Sequence, residues 1–286
     1  MHPYRSVLYM PGSNARALDK ARSLPADALI LDLEDAVAPD AKESARDLVA
    51  AAVSEGGYGE RRLLIRINAL DTPWGAVDLE AAMAVRPHGI LLPKVARTRD
   101  VKVVAQMLEE SDTDHPSQVW AMIETPAGVL AAEKVAAAPR MAGFVLGTND
   151  LLGDMGARFV PDRTPLLPAL SHCLLAARAA GLVCLDGVYN AFKDEDGLLA
   201  EARQGRDLGF DGKTLIHPAQ IDAANRVFAP SEEDIDLARR QVAAFEEADR
   251  QGKGVAVLDG RIVENLHVRT ARQTLAKAEA IARMSG

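Results

Sequence analysis

The chain has 286 residues, of which 48% are hydrophobic and 26% are charged, a composition typical of a folded globular protein. With 33 Lys and Arg against 41 Asp and Glu, the formal net charge of −8 argues against a broad binding surface for nucleic acid or anionic lipid. Two cysteines cannot build a disulfide framework, and the longest run without formal charge, Thr164 to Ala177, is too short to cross a bilayer. We therefore expect a cytoplasmic protein that binds neither nucleic acid nor a membrane.

Short apolar segments alternate along the chain with longer segments of helical periodicity, which is the pattern of parallel strands joined by crossover helices. The predicted strands are Ser6–Pro11, Ala28–Glu34, Leu63–Asn68, Gly89–Lys94, Val119–Glu124, Gly143–Gly147, Val183–Val188 and Lys213–His217. The predicted helices are Ala15–Leu24, Lys42–Ser54, Trp74–Ala84, Asp100–Glu109, Val129–Ala137, Pro165–Ala180, Gly197–Leu208 and Ala219–Phe228. Eight such units favour a closed (β/α)₈ barrel, a TIM barrel, over an open doubly wound sheet.

The pattern changes after Pro230. A charged amphipathic segment from Ser231 to Arg250 predicts a long helix, and the short β-like segment Val255–Leu258 is followed by a turn signal at Asp259-Gly260 and a last helix. We predict a barrel domain over residues 1–230 and a C-terminal appendage over residues 231–286. The appendage would act as a lid or an oligomerisation element made of helices and a hairpin.

Acidic residues cluster directly after three of the predicted strands. Asp32, Glu34 and Asp35 close the second strand, Glu124 the fifth, and Asp150 follows the sixth. The C-terminal ends of barrel strands form the face that carries active sites. Crowded carboxylates repel one another unless a cation or an arginine lies between them. Since histidine and cysteine are not clustered, oxygen ligands favour Mg²⁺, with Mn²⁺ as an alternative, over zinc.

Each of these residues also has a structural interpretation. Asp35 or Asp150 could cap the following helix, because aspartate is favoured there. Glu124 could belong to a structural salt bridge, since a carboxylate at the end of an apolar strand needs a partner. Asp32 could be a hydrogen-bonded strand residue inside the barrel.

Two basic residues end neighbouring predicted strands. Arg66 stands between β-branched residues that would bury it, and its planar guanidinium suits a substrate carboxylate. The alternative is that Arg66 pairs with the acidic residues alone. Lys94 could balance the acidic charge or form a Schiff base, and we favour charge balance.

Together these motifs resemble the citrate lyase β-subunit group of the HpcH/HpaI aldolase-like superfamily, which includes malyl-CoA and citramalyl-CoA lyases. The resemblance extends over nearly the whole chain. The motifs that carry it are Arg5-Ser6, Pro11-Gly12, Leu31–Asp35 with Lys42 and Ala45-Arg46, Arg66-Ile67-Asn68, Leu92-Pro93-Lys94, Ile123-Glu124-Thr125, Gly147-x-x-Asp150-Leu151 and Gly209–Pro218.

The resemblance implies a Mg²⁺-dependent retro-Claisen lyase. Its substrate would be a 3-hydroxy-3-carboxyacyl thioester, such as citryl-, citramalyl- or malyl-CoA or the corresponding acyl-carrier-protein thioester, and its products an acetyl thioester and a 2-oxo acid. Glu124 and Asp150 would be the metal ligands, with Glu124 also bordering the substrate. Arg66 would act in catalysis by holding the oxo-acid carboxylate. Asp32, Glu34 and Asp35 would lie around the metal without binding it directly.

The resemblance also implies where the CoA portion lies. Tyr9, Arg16 and Lys20 match positions that contact it, and the backbone around Thr214 and Leu215 would border the thioester. An ordinary solvated helix face is the alternative for the charged side chains.

Catalysis in the CoA-lyase relatives uses an aspartate of the C-terminal appendage that reaches the site of a neighbouring subunit. The resemblance therefore implies a homo-oligomer, a trimer or a hexamer, with CoA as part of the substrate. Glu264 stands at the matching position here. Glutamate keeps the carboxyl chemistry but is one methylene longer, a displacement of about 1 Å on which catalysis can depend strongly. The alternative is an exposed turn carboxylate without a role in catalysis.

Two other functions stay open at this point. A class II aldolase acting on free oxo acids or sugar acids would use the same fold, and a non-catalytic metal-binding subunit would keep the acidic residues without turnover. Membership of a citrate lyase complex would add an acyl-carrier-protein partner. The sequence does not determine the acyl group, its stereochemistry or the direction of the reaction.

Overall fold

The computed structural model describes residues 2–112 and 114–285 of the chain. Eight parallel strands close into a barrel in which each strand pairs with the next and β8 returns to β1. They are β1 Ser6–Pro11, β2 Ala28–Asp32, β3 Arg62–Arg66, β4 Gly89–Leu92, β5 Gln118–Ile123, β6 Met141–Leu146, β7 Val183–Asp186 and β8 Gly212–Leu215. The predicted TIM barrel is therefore confirmed.

Helices follow the strands as predicted. The barrel unit contains α1 Ala15–Ala21, α2 Lys42–Glu55, α3 Gly75–Val85, α4 Thr98–Ser111, α5 Pro126–Ala136, α6 Thr148–Asp154, α7 Leu167–Ala179, α8 Glu195–Leu208 and α9 Ile221–Phe228. Asn14 caps α1 by accepting a hydrogen bond from the backbone of Ala17 at 3.1 Å, and Gly181 follows α7 in the left-handed region with a φ of 72°. Asparagine at a helix N-cap and glycine just after a helix end are the residue types favoured at these positions.

The strands and helices differ from the predictions in two respects. Five strands, β2, β3, β4, β7 and β8, end two residues before their predicted ends. After β2 the apolar pattern continues, because Leu33 is buried although it lies in the turn beyond the strand. The short helix α6 was not predicted, since seven residues are too few to show a helical period. Both differences lie at the C-terminal end of the barrel.

The interior of the barrel is filled by side chains from seven of the eight strands. Trp120 is the largest of them and is 2% exposed. Gly89 and Gly143 stand on the neighbouring strands β4 and β6, where a Cβ atom would collide with the Trp120 ring. Glycine at these two positions makes room for the indole, so the barrel is packed rather than hollow.

The chain forms two compact units, one of residues 4–227 and the other of residues 228–285 together with His2 and Pro3. The second unit contains α10 Glu232–Arg250, the antiparallel strands β9 Ala256–Leu258 and β10 Arg261–Val263, and α11 Asn265–Ser285. Its small apolar core is formed by Ala248, Ala256, Val263 and Val268. In the described ranges, every helix is too short or too polar to span a lipid bilayer.

Candidate active site

A cavity of about 240 Å³ lies at the C-terminal end of the barrel strands. Seven of the residues singled out from the sequence line it: Tyr9, Asp32, Asp35, Arg66, Glu124, Asp150 and Thr214. They come from six different strands or the segments that follow them. The parallel sheet thus brings together side chains that are far apart in the sequence, as expected for the mouth of a TIM barrel.

Arg66 is held by the turn after β2. Its Nε and Nη2 donate to the two carboxylate oxygens of Asp32 at 2.7 and 2.6 Å, and its Nη1 lies 2.8 Å from Glu34 Oε2. Asp35 is farther away, at 3.6 Å. Burial alone would lower the pKa of Arg66, but the hydrogen-bonded Asp32 raises it, so the guanidinium stays charged. Arg66 therefore pairs with acidic residues, which is one of the two interpretations that the sequence left open.

Asp32 also shapes the turn that follows β2. It is 1% exposed and accepts hydrogen bonds from the backbone N–H groups of Glu34 at 2.9 Å and Ala36 at 3.1 Å. The sequence left open whether Asp32 is a hydrogen-bonded residue inside the barrel, and the structure shows that it is. Asp32 fixes both the turn and the orientation of Arg66.

Glu34 and Tyr9 border the same guanidinium. Glu34 Oε2 is buried without an aligned hydrogen bond, although Arg66 Nη1 lies close to it. Burial raises the pKa of Glu34. Tyr9 lies with its ring centre 5.0 Å from the Arg66 guanidinium carbon, and burial raises the pKa of its phenol. The phenol is therefore neutral and the Arg66 charge rests on an aromatic face.

Glu124 and Asp150 form a carboxyl pair that lines the cavity. Glu124 is 1% exposed, and its Oε1 accepts a hydrogen bond from the Lys94 backbone at 2.6 Å. Its side chain lies beside the Asp150 carboxyl, and burial followed by this contact raises the pKa of Glu124 to about 8. Gly147 packs against Glu124 so closely that a Cβ atom there would collide with it. Two carboxyl groups this close share a proton unless a cation separates them.

Asp150 does not cap the helix in which it lies. The N-cap of α6 is Gly147, which makes no side-chain capping hydrogen bond, and Asp150 stands in the first turn with its side chain exposed. Asp35 also lies outside a capping position, since the next helical turn, Pro39–Ala41, has Ala38 as its N-cap. The capping interpretation of these two residues is therefore wrong.

Lys94 supplies a second cation next to the acidic residues. Its Nζ lies 3.6 Å from Glu34 Oε1, and Glu34 raises the pKa of the ammonium group. Its backbone has a φ of 52°, in the left-handed region that costs energy for a residue with a side chain. This conformation aims the N–H group at Glu124. The arrangement matches charge balance, the role favoured from the sequence.

The carboxyl pair fits a magnesium ion. Mg²⁺ usually takes one or two protein carboxylates and keeps several waters. Within residues 2–112 and 114–285, no three acidic, histidine or cysteine side chains form a complete metal site, so Glu124 and Asp150 are a pair. Arg66 and Lys94 face Asp32, Glu34 and Asp35, whereas burial and the neighbouring Asp150 raise the pKa of Glu124 and so favour its protonated form. A divalent ion would replace that proton.

The remaining predicted residues lie in different surroundings. Thr214 is buried and its Oγ1 donates to the Asp186 carbonyl at 3.0 Å, while Leu215 is fully buried. Arg16 and Lys20 are exposed on α1. In the C-terminal unit Glu264 is exposed directly before α11, where its carbonyl accepts a hydrogen bond from Val268 at 3.2 Å.

Sequence reasoning missed several polar residues near the cavity. Lys42 is buried and its Nζ donates to the carbonyls of Leu33 and Glu34 and to Asn68 Oδ1, at 2.7 to 2.8 Å. Burial lowers the pKa of Lys42 while nearby carboxylates oppose the shift. Lys42 and Asn68 stand inside motifs quoted above, so position within a motif was the available signal. A further group missed entirely is Asn149, Arg163, Asp186, Asn190 and Glu201.

A closed (β/α)₈ barrel that carries two adjacent carboxyl groups and an anchored arginine at the C-terminal ends of its strands has the architecture in which barrel enzymes place their active sites. Residues 5–218 match the family HpcH/HpaI aldolase/citrate lyase. The chain belongs to this family of enzymes, as its motifs predicted.

Individual relatives resemble the chain over almost its full length. The (3S)-malyl-CoA thioesterase of Cereibacter sphaeroides is 58% identical over 281 residues, which cover 98% of this chain and 96% of the relative. Citrate lyase subunit beta of Escherichia coli is 38% identical, covering 96% and 93%. The solved structure of CitE from Mycobacterium tuberculosis in complex with magnesium, acetoacetate and coenzyme A has a TM-score of 0.79 at 32% identity, covering 97% of this chain and 98% of that one.

Proposed function

We propose that this protein is a Mg²⁺-dependent enzyme that hydrolyses a malyl-CoA-like thioester to the hydroxy diacid and free CoA. The observation that carries the proposal is the adjacent carboxyl pair of the buried Glu124 and the exposed Asp150, in a cavity that also presents Arg66. The choice of thioester and of hydrolysis is supported by the 58% identity to a (3S)-malyl-CoA thioesterase.

The residues of the cavity divide the work of binding. Glu124 and Asp150 would hold Mg²⁺, which supplies Lewis-acid polarisation of substrate oxygens when bound. Arg66 would attract the free carboxylate of the acyl group, and its restraint by Asp32 keeps the guanidinium oriented before the substrate arrives. Tyr9, Arg16, Lys20 and the backbone of Thr214 and Leu215 are proposed to contact the CoA portion.

Hydrolysis needs a group that removes a proton from the attacking water, and we assign this role to Glu264. A carboxylate in contact with water can act as a general base. Asp32, Glu34 and Asp35 are proposed to support the metal from outside its direct ligands. We keep the homo-oligomer, a trimer or hexamer, as part of this proposal, because the resemblance places the acid/base in a neighbouring subunit's site.

Retro-Claisen cleavage to an acetyl thioester and a 2-oxo acid is the second candidate. It is supported by the 38% identity to citrate lyase subunit beta and by a cavity in which carboxylate-binding and metal-binding groups lie together. In that reaction Glu264 would return a proton to the carbon that becomes the acetyl methyl group. Mn²⁺ in place of Mg²⁺ and a carrier-protein thioester in place of CoA are variants of the same proposal.

One assay distinguishes the two reactions. The purified protein is incubated with (3S)-malyl-CoA with Mg²⁺, with Mn²⁺ or with a chelator, and free thiol, malate, glyoxylate and acetyl-CoA are measured separately. Hydrolysis releases thiol and malate in equal amounts, whereas cleavage yields glyoxylate and acetyl-CoA without thiol. We expect thiol and malate, and no product in the chelator.

Glu124→Gln is the test variant and Glu133→Gln, an exposed glutamate on α5, is its matched control. The first should abolish turnover by removing a metal ligand, and the second should leave it unchanged. Turnover that survives exhaustive chelation, or full activity of Glu124→Gln, would contradict the metal-dependent mechanism.

A further inference from the structure

Residues 186–190 run from the last residue of β7 into the segment that follows it. They are held by side chains of β8 and of the turn that follows β8. Three of their backbone carbonyls accept hydrogen bonds from such side chains. The contacts are Thr214 Oγ1 to Asp186 O at 3.0 Å, Lys213 Nζ to Gly187 O at 2.5 Å, and Gln220 Nε2 to Tyr189 O at 2.8 Å. Carbonyls held at three of four successive residues leave this segment little freedom to move.

The lysine that takes part is itself held in a buried cluster of four charges. Lys213 is fully buried and lies 2.6 Å from Glu201 and 3.2 Å from Asp186, and Asp186 also pairs with Arg163 at 2.7 Å. Burial alone would raise the pKa of Asp186, but Lys213 and Arg163 lower it, so the carboxylate stays ionised. Two positive and two negative charges compensate each other. The segment 186–190 is therefore anchored to a fixed point in the barrel wall.

Asn190, at the end of this anchored segment, reaches across to α6. Its Nδ2 donates to Asn149 Oδ1 at 2.8 Å, and Asn149 Nδ2 donates back to Asn190 Oδ1 at 3.2 Å. Both residues line the 240 Å³ cavity, and Asn149 directly precedes Asp150 in the first turn of α6. We call this pair the amide bridge.

The helix that carries Asp150 needs such a contact. α6 has only seven residues and its N-cap, Gly147, provides no capping side chain. A helix this short is marginal by itself and takes its orientation from tertiary contacts. The amide bridge is a reciprocal pair of hydrogen bonds at the end of α6 where Asp150 lies.

We propose that Asn190 is a positioning residue for the metal site, because the amide bridge holds the first turn of α6 and so keeps Asp150 opposite Glu124. This inference rests on the proposed function, in which these two carboxylates bind Mg²⁺. Partners outside the direct ligands change metal affinity by about 10- to 100-fold when they are removed. Asn190 acts through Asn149 and Asp150 and touches neither the metal nor the substrate in this role.

The experiment compares Asn190→Ala, Asn149→Ala and the double variant with the unmodified full chain. Mg²⁺ affinity is measured by calorimetry without substrate, and kcat and KM for malyl-CoA are measured at limiting and saturating Mg²⁺. We expect about a 10-fold loss of Mg²⁺ affinity in each single variant and no further loss in the double variant, since both singles break the same bridge. Turnover should fall at limiting Mg²⁺ and recover at saturation.

Asn225→Ala is the matched control. Its side-chain amide also makes two hydrogen bonds, one to the Pro25 carbonyl and one from Ser6, but these lie at the N-terminal end of the barrel strands. This variant should lose thermal stability without losing Mg²⁺ affinity.

Unchanged Mg²⁺ affinity in Asn190→Ala would overturn the inference. So would a loss of affinity that is matched in Asn225→Ala, because it would then follow from general destabilisation. Failure of the proposed function is recognised separately: Glu124→Gln would bind Mg²⁺ as well as the unmodified protein does.

Discussion

The pKa of Glu124 links metal binding to stability at the scale of one residue. Burial first, and the neighbouring Asp150 carboxyl second, raise this pKa from an ordinary 4.5 to about 8 in the metal-free protein. Between pH 4.5 and about 8, the folded protein therefore keeps a proton on Glu124 that the unfolded chain has already lost. A raised folded-state pKa gives stability that is complete below pH 4.5 and is lost as the pH rises towards 8.

We predict that the unfolding free energy of the chelated protein falls between about pH 4.5 and pH 8, by up to about 1.4 kcal/mol per pH unit. Mg²⁺ should therefore stabilise the protein more at pH 8 than at pH 5.5, since the ion replaces the proton. Urea unfolding with chelator and with Mg²⁺ at both values measures this. Glu124→Gln should flatten the dependence, and an unaltered dependence in that variant would disprove the assignment.

At the scale of strands and helices, the cluster of Lys213, Asp186, Arg163 and Glu201 connects β7, β8 and α8 to the loop before α7. Its four side chains are at most 5% exposed. A buried charge that loses its partner is costly, because the remaining charge has neither water nor a counterion.

We predict that Lys213→Met lowers the unfolding free energy by about 3–5 kcal/mol. The double variant Lys213→Met with Glu201→Gln should recover part of this loss, since it removes the unpaired negative charge. Arg206→Met on the same helix α8 is the control, because its pairing with Asp207 is solvent-exposed and worth at most about 1 kcal/mol. Urea unfolding curves give the unfolding free energies of all three variants. If Lys213→Met is no less stable than Arg206→Met, the buried charges are dispensable.

Secondary structure was predictable at this scale because each strand and helix has a local pattern. The β2 segment is continuously apolar, and Asn14 and Gly181 are the residue types that begin and end helices. The ends of β2 and β4 were placed too late because Leu33 and Pro93 continue the apolar pattern after the ladder has stopped. Burial of a side chain in a turn is decided by tertiary packing, which local periodicity does not contain.

At the scale of the whole molecule, the barrel unit and the C-terminal unit divide the residues of the proposed reaction. The proposed metal ligands lie in the unit of residues 4–227, and Glu264 lies in the other unit. The family resemblance assigns the acid/base position to a neighbouring subunit's site, and this assignment is testable by mixing subunits.

We predict that Glu264→Ala and Glu124→Gln are each inactive as pure proteins, and that oligomers containing both variants regain activity. In such an oligomer one subunit supplies an intact metal pair and another supplies an intact Glu264. Co-expression with two different affinity tags isolates the mixed species, and light scattering gives its subunit number. Mixed oligomers without activity would mean that Glu264 serves its own subunit, and full activity of pure Glu264→Ala would mean that it has no role in the reaction.

The sequence by itself determined the barrel, because eight local patterns of strand and helix have few compatible topologies, and it determined the acidic residues at the strand ends. Tertiary structure decided how the charges pair: Asp32 binds the guanidinium of Arg66 through both carboxylate oxygens, while Glu124 lies beside Asp150 with a raised pKa. It alone revealed the amide bridge between Asn149 and Asn190. Pairings of this kind depend on distances of a few ångströms between distant parts of the chain, and no local pattern of residues records such distances.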